Sequence, residues 1–572
     1  MASVAPDNKT IIKQLKLAAT LMELHGENQF KIRTYTNAVF PLEQLETQIA
    51  KLSAEEISHI DGIGKSLAAT LQEISETGTF TQLEDLINQT PEGVIAILGI
   101  KGLGAKKVKQ IWQELGIESV AELKEACERG DLAKAKGFGA KTQEKILEEL
   151  AFIEENASKL HWAEAQPVAE ALLGQLKDKF TQTAIAGDYR RCMEVIEEIT
   201  LIIAHNDFSQ IWNTLKAVPE LEENPGQASP YRWHGKYKGM AITVKICKPE
   251  NFGSILLLNS GSEAHLSQSV PEQNTTLLQY VGKNSFTTEE AAYKALNLAY
   301  IAPELREGTD EIQLAATNNL PQLIEYNDIA GCLHNHSTYS DGKNSIKEMA
   351  EACQQLGYTY LGMSDHSQSA FYAGGLKWEA VQKQHAEIDK LNQELKDFTI
   401  FKGIESDILT DGELDYPTDQ LASFDFIVAS IHGNLSMSEE KATQRLLKAI
   451  SNPYTTMLGH PTGRLLLRRA GYPIDHKAVI DACVKHNVII EINANPWRLD
   501  LDWRWVRYAI DQGAWLSINP DAHLTAGLKD MYYGTLIGRK GGLTKERCFN
   551  AQSAEFVADY FTKKRAAAVQ EA

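Results

Sequence analysis

Seven short apolar runs follow one another between residues 332 and 523: "CLHNHSTYSDG", "YTYLGMSDH", "FTIFKGIESD", "FDFIVASIHG", "YTTMLGHPTG", "NVIIEINAN" and "AWLSINPDAH". Helix-like stretches separate them, among them "NSIKEMAEACQQLG", which starts at an Asn/Ser cap, and "HKAVIDACVKHN". Repeated β-α units over this length predict a closed parallel barrel of about seven strands. The runs close on imidazole and carboxylate side chains: His334, His336, Asp341, His366, Glu405, His432, His460, Asp521 and His523. In a parallel barrel the C-terminal strand ends share one rim, so groups far apart in sequence meet there. His334 and His336, two apart on an extended strand, point to one face. H-x-H alone is a weak signal, because a strand can carry two histidines for no catalytic reason. Nine ligand-type residues closing successive strands predict a multinuclear metal site. Its donors are nitrogen and oxygen only, which favours zinc, manganese or iron(II), and a carboxylate such as Glu405 suits closely spaced ions. Such ions hold a phosphate, ionise a water and stabilise a leaving oxygen, so phosphoester hydrolysis is the expected chemistry.

The front of the chain has a different repeat. "IDGIGKSLAATLQEI", "IKGLGAKKVKQIWQEL" and "AKGFGAKTQEKILEEL" each place G-x-G before an amphipathic helix. This is the pattern of a helix-hairpin-helix. Its glycine turns, Gly62/Gly64, Gly102/Gly104 and Gly137/Gly139, let backbone N–H groups at a helix N-terminus approach a phosphate. Lys101, Lys106 and Lys107, and Lys134, Lys136 and Lys141, flank two of the turns. Sequence-independent contact with a DNA backbone is predicted. Residues 1–150 carry 17 basic against 22 acidic side chains, so that contact is local and salt-sensitive.

At 572 residues the chain exceeds one core and should divide into three or four domains. The net charge of −19 opposes nucleic-acid binding as a bulk field and reads as solubility. Seven scattered cysteines without C-x-x-C fit a reducing cytoplasm and exclude a thiolate zinc ribbon. "MASVAPDNKTIIKQL" lacks the apolar core of a secretory leader, and no apolar run reaches membrane-spanning length. A cytoplasmic monomer without membrane contact or organic cofactor is expected.

The motifs "HNHSTYSDG", "SDH", "GIESDIL", "GHPTGR", "EINANP" and "DAH" resemble those of the polymerase and histidinol phosphatase (PHP) family over residues 328–572. That resemblance implies a distorted seven-stranded barrel holding three divalent metals. The nine residues named above become their ligands, with Asp341, Glu405 and His432 carrying the catalytic work. Arg464, Asn495 and Arg498 become phosphate or DNA contacts, beside a structural role for each.

The preceding segment resembles the bacterial family X DNA polymerases, which carry a PHP domain at their C-terminus. "IAPELREGTDEI" is close to a stretch those proteins place before PHP, and "AGDYRRCMEVIEEITLII" aligns with their palm motif. Gly187, Arg190 and Arg191 match, whereas Asp188 stands where the family has a serine facing the triphosphate. The two metal-binding aspartates of the motif fall on Glu198 and Thr200, and the third on Thr243 within "ITVKI". Nucleotidyl transfer needs two magnesium ions held by carboxylates, and a threonine hydroxyl carries no charge. Loss of polymerisation is therefore expected. The lysine of lyase-active members is replaced by Thr70, with Lys65 a poor substitute, so lyase activity is not expected.

The resulting expectation is a multidomain α/β chain. A helical DNA-binding domain occupies 1–90 and a second helix-hairpin-helix domain 91–158; a degenerate α+β nucleotidyltransferase-like palm and thumb spans 159–322, before the (β/α)7 PHP barrel of 328–572. The function expected is that of a metal-dependent 3′-5′ exonuclease in DNA repair, with 3′-phosphates or abasic sites as further substrates. Three rivals stand beside it: an active repair polymerase, a small-molecule phosphatase of histidinol-phosphate type, and a DNA-binding scaffold without turnover.

Overall fold

The computed structural model describes residues 6–43, 45, 47–60 and 62–571. Met1–Ala5, at the start of the stretch read for a leader, and Asp61, in the first glycine repeat, lie outside them. The chain forms two compact units, Met1–Ala157 and Ser158–Ala572.

The first unit is helical. Apolar side chains from Ile11 to Leu150 form one core, so the helical segments on either side of residue 90 share an interior. The three glycine repeats build three equivalent turns, which lead into helices Lys65–Thr77, Ala105–Gln113 and Ala140–Asn156. In each, the first glycine is left-handed, at φ 79°, 86° and 87° for Gly62, Gly102 and Gly137. The second glycine is the N-cap, without a side-chain hydrogen bond to the first turn. A Cβ at Gly64, Gly104 or Gly139 would meet nothing within 4 Å, so the fold itself leaves room for a side chain at these caps.

The second unit opens on a mixed sheet of β1 (Gln182–Ala186), β2 (Glu198–Ala204), β3 (Leu221–Glu223), β4 (Arg232–Tyr237) and β5 (Met240–Cys247). The spatial order is β1-β2-β5-β4-β3. Strands β2 and β5 run parallel with Thr200 opposite Thr243, and the other pairs are antiparallel.

Seven parallel strands follow in sequence order: β6 (Gly331–Cys332), β7 (Tyr360–Met363), β8 (Thr399–Asp407), β9 (Phe426–Ser430), β10 (Met457–Leu458), β11 (Ile489–Asn493) and β12 (Leu516–Asn519). "FIVAS", "IIEIN" and "LSIN" are buried throughout, as strands covered on both faces must be. Helix Ile346–Gln355 opens on a capping box of Ser345 and Glu348, which satisfies backbone donors at its start. Large and small side chains interlock inside the barrel. A Cβ at Gly362 or Gly403 would lie 2.6 or 2.2 Å from the Phe426 ring. Phe561, from helix Ala554–Glu571, stacks on Phe426 at 5.2 Å and plugs the end away from the ligand rim.

The barrel is nearly closed. Strands β6 and β12 do not pair, yet beyond them Asn335 bridges Ala522, and the His336 N–H donates to the Ala522 carbonyl at 2.9 Å. The Asn550 amide donates to the Gly331 carbonyl at 2.9 Å and accepts from the Ile518 N–H at 3.0 Å. This seam carries the first and last ligand segments to each other. Among the described residues, no helix is long and apolar enough to cross a membrane.

Candidate metal centre

All nine ligand-type residues meet at the C-terminal rim. His334 and His336 follow β6, His366 follows β7, Glu405 lies near the end of β8, and His432 and His460 follow β9 and β10. Asp521 and His523 follow β12, and Asp341 comes from the loop after His336. Glu405 sits in the middle. Its Oε1 lies 3.2, 3.2 and 3.0 Å from Nε2 of His334, His432 and His460. Its Oε2 lies 2.9 Å from His366 Nδ1 and 3.6 Å from His336 Nε2. Asp521 approaches His336 at 3.1 Å, and Asp341 approaches His523 at 3.3 Å. Three overlapping groups can each hold an ion: His334, His336 and Asp521; His366, Glu405 and His432; and His336, Asp341, His366 and His523. Donors about 2.0–2.2 Å from one tetrahedral ion stand roughly 3.3–3.6 Å apart, and the separations here, 2.9–3.6 Å, reach that range at their upper end and are shorter by a few tenths of an ångström elsewhere.

Burial and charge support the fit. His334 Nε2, His336 Nδ1, His366 Nδ1, His460 Nδ1 and Glu405 Oε2 are buried without a hydrogen-bond partner among the described residues. Each such atom costs about 1–3 kcal/mol if nothing satisfies it. Two of them, His334 Nε2 and His366 Nδ1, approach Glu405 without hydrogen-bond alignment, as ligands of a cation would. Burial would raise the Glu405 carboxyl, but His432, His334 and His366 hold it well below the usual carboxylate range. Asp341, likewise opposed by burial, is held down at about 2 by His523. Burial and the neighbouring His523 and His366 push His336 down to about 3. Against burial, Glu405 and Asp407 push His432 up to about 10. Glu405 and Asp341 are therefore ionised, as ligands must be, whereas His432 would have to release its proton to a cation.

An outer layer orients these donors, and its members were not among the predicted site residues. Glu491, buried on β11, accepts from His334 Nδ1 at 2.7 Å and from the His460 N–H at 2.7 Å. His460 has a φ of 22°, a strained backbone held in place by that carboxylate. Asp407 meets His432 Nδ1 at 2.5 Å. Asp365 accepts from the N–H and hydroxyl of Ser337 at 2.8 and 2.7 Å, fixing the loop after His336. Carboxylates on the distal nitrogen of a ligating histidine set its tautomer and orientation. The signal for Glu491 lay in "EINAN", where it shares a strand face with Asn493 two residues on; the signal for Asp407 lay in "GIESD".

The other predicted site residues fall in several places. Arg498 reaches the cage, its Nε 3.6 Å from Asp521 Oδ2. Arg464 does not: its guanidinium binds Asp502 and the carbonyls of Arg498 and Leu499, so it ties the rim loop together. Asn495 caps its own turn by accepting from the Trp497 N–H at 3.0 Å. Lys106 is exposed at the second glycine turn, whereas Lys107 donates to the Gly102 carbonyl at 3.2 Å. Glu198, Thr200 and Thr243 lie together on β2 and β5. There the Thr243 and Thr200 hydroxyls donate to Glu198 at 2.8 and 3.3 Å, and His234 lies 3.0 Å from Thr243 Oγ1. This triad position contains one carboxylate.

Known proteins share these parts. Residues 6–80 match the helix-hairpin-helix domain family, 94–151 the SAM-like helix-hairpin-helix tandem, and 333–495 the PHP domain. A probable phosphatase of Clostridium acetobutylicum is 32% identical over 169 residues, 28% of this chain and 63% of that protein. A probable phosphatase of a Thermoanaerobacter species is 25% identical over 250 residues, 41% of this chain and 94% of its own. The DNA polymerase/3′-5′ exonuclease PolX of Bacillus subtilis is 35% identical over 566 residues, 96% of this chain and 98% of that protein. With that identity running almost end to end through both helix-hairpin-helix matches, the mixed sheet and the barrel, the chain belongs to the PolX family of family X DNA polymerases.

Proposed function

We propose that the chain is a metal-dependent phosphodiesterase that shortens DNA from its 3′ ends, with 3′-phosphates and abasic sites as further substrates, and that its palm no longer transfers nucleotides. The observation that carries this reading is the pairing of a nine-residue donor cluster, Glu405 at its centre, with a palm triad holding one carboxylate. Three divalent cations, zinc, manganese or iron(II), would be held by the three donor groups, where they would activate a water and neutralise phosphoryl oxygens. Within the chain, Asp407 fixes the ring of His432, and Glu491 fixes His334 and the backbone of His460. Arg498 adds a cation at the mouth for a phosphoryl oxygen. The palm supports the second half of the proposal. Arg191 donates to Asp188 at 2.6 Å, so the acid that replaces serine occupies the guanidinium a triphosphate would need.

The test is a 5′-labelled primer-template incubated with manganese, with and without nucleotides, beside a small phosphomonoester. Primer shortening that chelation abolishes is the expected result. Extension would restore the polymerase reading, and phosphate release from the monoester alone would favour the phosphatase that two relatives suggest.

The glycine turns supply the grip on DNA in this reading. Lys106→Ala is expected to weaken duplex binding equally across sequences and to lower the slope of log affinity against log salt by about 0.9. A titration at several salt concentrations reads this directly; an unchanged slope removes Lys106 from the contact.

A further inference from the structure

Beside the cage lies an aromatic pair that hydrolysis of a phosphate does not require. Phe371 is 85% exposed, more than any other large hydrophobic side chain among the described residues, and Tyr372 is 57% exposed. They occupy the short helical turn Phe371–Ala373, in the loop that follows the ligand His366. The Tyr372 ring lies 6.4 Å from the His366 ring and 6.2 Å edge-on from Phe371. Phe371 is thus two ring-to-ring steps from a metal ligand.

The loop is anchored from both sides. The Leu376 N–H donates to the His366 carbonyl at 2.8 Å, and the Gly375 N–H donates to the Ala370 carbonyl at 3.0 Å. A Cβ at Gly375 would fall 2.0 Å from the Ser367 carbonyl oxygen, so only glycine lets the loop fold back this closely. Ser369 donates its N–H to Asp415 at 2.6 Å and its hydroxyl to Asp407 at 3.0 Å. Asp407 is also the carboxylate that orients His432. One acid therefore joins a ligand of the cage to the loop that presents Phe371. An exposed apolar ring on a flexible loop needs no explanation. On a pinned turn beside a phosphate-seeking cage, it gives a flat surface at little ordering cost. A cation and a second ring stand on the segment that follows β11, where Arg498 approaches Asp521 and Trp497 lies 4.6 Å under the exposed Arg468 of the segment that follows β10.

We propose that Phe371, backed by Tyr372, is a stacking platform for the unpaired nucleobase at the 3′ end of a DNA strand whose terminal phosphodiester lies in the metal cage. The proposal rests on the phosphodiesterase reading and narrows it to single-stranded or frayed ends. Aromatic rings stack on any base, and cations beside them track the backbone, which is how single strands are held without sequence preference. A paired terminal base is covered on its hydrogen-bonding edge and must be frayed to reach the platform.

The test uses full-length protein with manganese and two 5′-labelled single-stranded oligonucleotides, one with an ordinary 3′ nucleotide and one ending in a tetrahydrofuran abasic residue. Wild-type protein is expected to show a higher KM for the abasic end. Phe371→Ala should raise the KM for the ordinary end by between about 5- and 150-fold, and the difference between the two ends should disappear. Phe371→Trp should restore it. A variant that keeps the wild-type KM on the ordinary end, or that loses equally on both ends, overturns the platform. Shortening without a Phe371 effect overturns this inference alone. Failure of the wild-type protein to shorten either oligonucleotide overturns the phosphodiesterase reading and the platform together.

Discussion

Glu405→Gln is expected to yield a folded protein without metal-dependent hydrolysis. The carboxylate meets five imidazoles through two oxygens, at 2.9–3.6 Å. The amide keeps the shape but offers one acceptor and no charge, and its NH2 turns donors toward nitrogens that should face cations. Outer partners of metal ligands typically cost 10–100-fold when changed. Glu491→Gln, which loosens His334 and His460 without removing a donor, should fall within about that range. Glu405→Gln should exceed it, because the carboxylate at the centre of five imidazoles loses its charge and one acceptor. Manganese titrations of primer shortening, with the metal content of each purified protein, separate the two effects. Wild-type rates and metal content for Glu405→Gln would show that the cage is not the reaction centre.

What could be read in advance was set by chain-local patterns. Apolar runs closing on His or Asp predicted the rim because a parallel strand has one open end, and the structure brings all nine donors there. The glycine repeats were legible for a related reason: a left-handed turn followed by a helix cap has few sequence solutions. Glu491 was harder. It sits inside a buried strand, so its own sequence surroundings are apolar, and its partners His334 and His460 are 157 and 31 residues away. Arg464 carried the opposite difficulty. A basic residue after "GHPTG" reads as an anion contact, yet Asp502, 38 residues on, occupies it. Phe371 gave no signal, because exposure of an apolar ring follows from tertiary packing alone.

The same kind of long-range pairing engages the arginine pair of the mixed-sheet segment. Arg191 holds Asp188 and, at 3.0 Å, Glu307, and Glu307 in turn receives the buried Lys540 of the barrel at 2.5 Å. Trp503 and Arg504, also from the barrel, donate to Glu194 at 3.0 and 2.8 Å. Arg191, which ends the arginine pair, and Glu194, which follows it, thus serve as struts between mixed sheet and barrel. On the proposed reading, the former nucleotide pocket now contributes rigidity to the body that holds the metal cage.

Arg190, the other member of the pair, leads to the second large effect. Its guanidinium donates twice to Glu289, at 2.9 and 2.6 Å, and the fully buried Arg306 donates to the same carboxylate at 2.6 Å. Glu289→Gln leaves these two guanidinium groups without their shared anion and should destabilise the 158–572 unit by about 3–5 kcal/mol, the cost of breaking a buried pair from one side. The pH dependence has a definite sign. Burial would raise the Glu289 carboxyl, but Arg190 and Arg306 hold it below its ordinary value. Its contribution is therefore complete above the unfolded-state value of about 4.3 and is lost as pH falls through the lower folded value. Urea midpoints of the 158–572 transition should differ most between wild type and Glu289→Gln at neutral pH and converge as the solution is acidified below about pH 4. A penalty that persisted undiminished into acid would assign the loss to packing and remove the charge from the account.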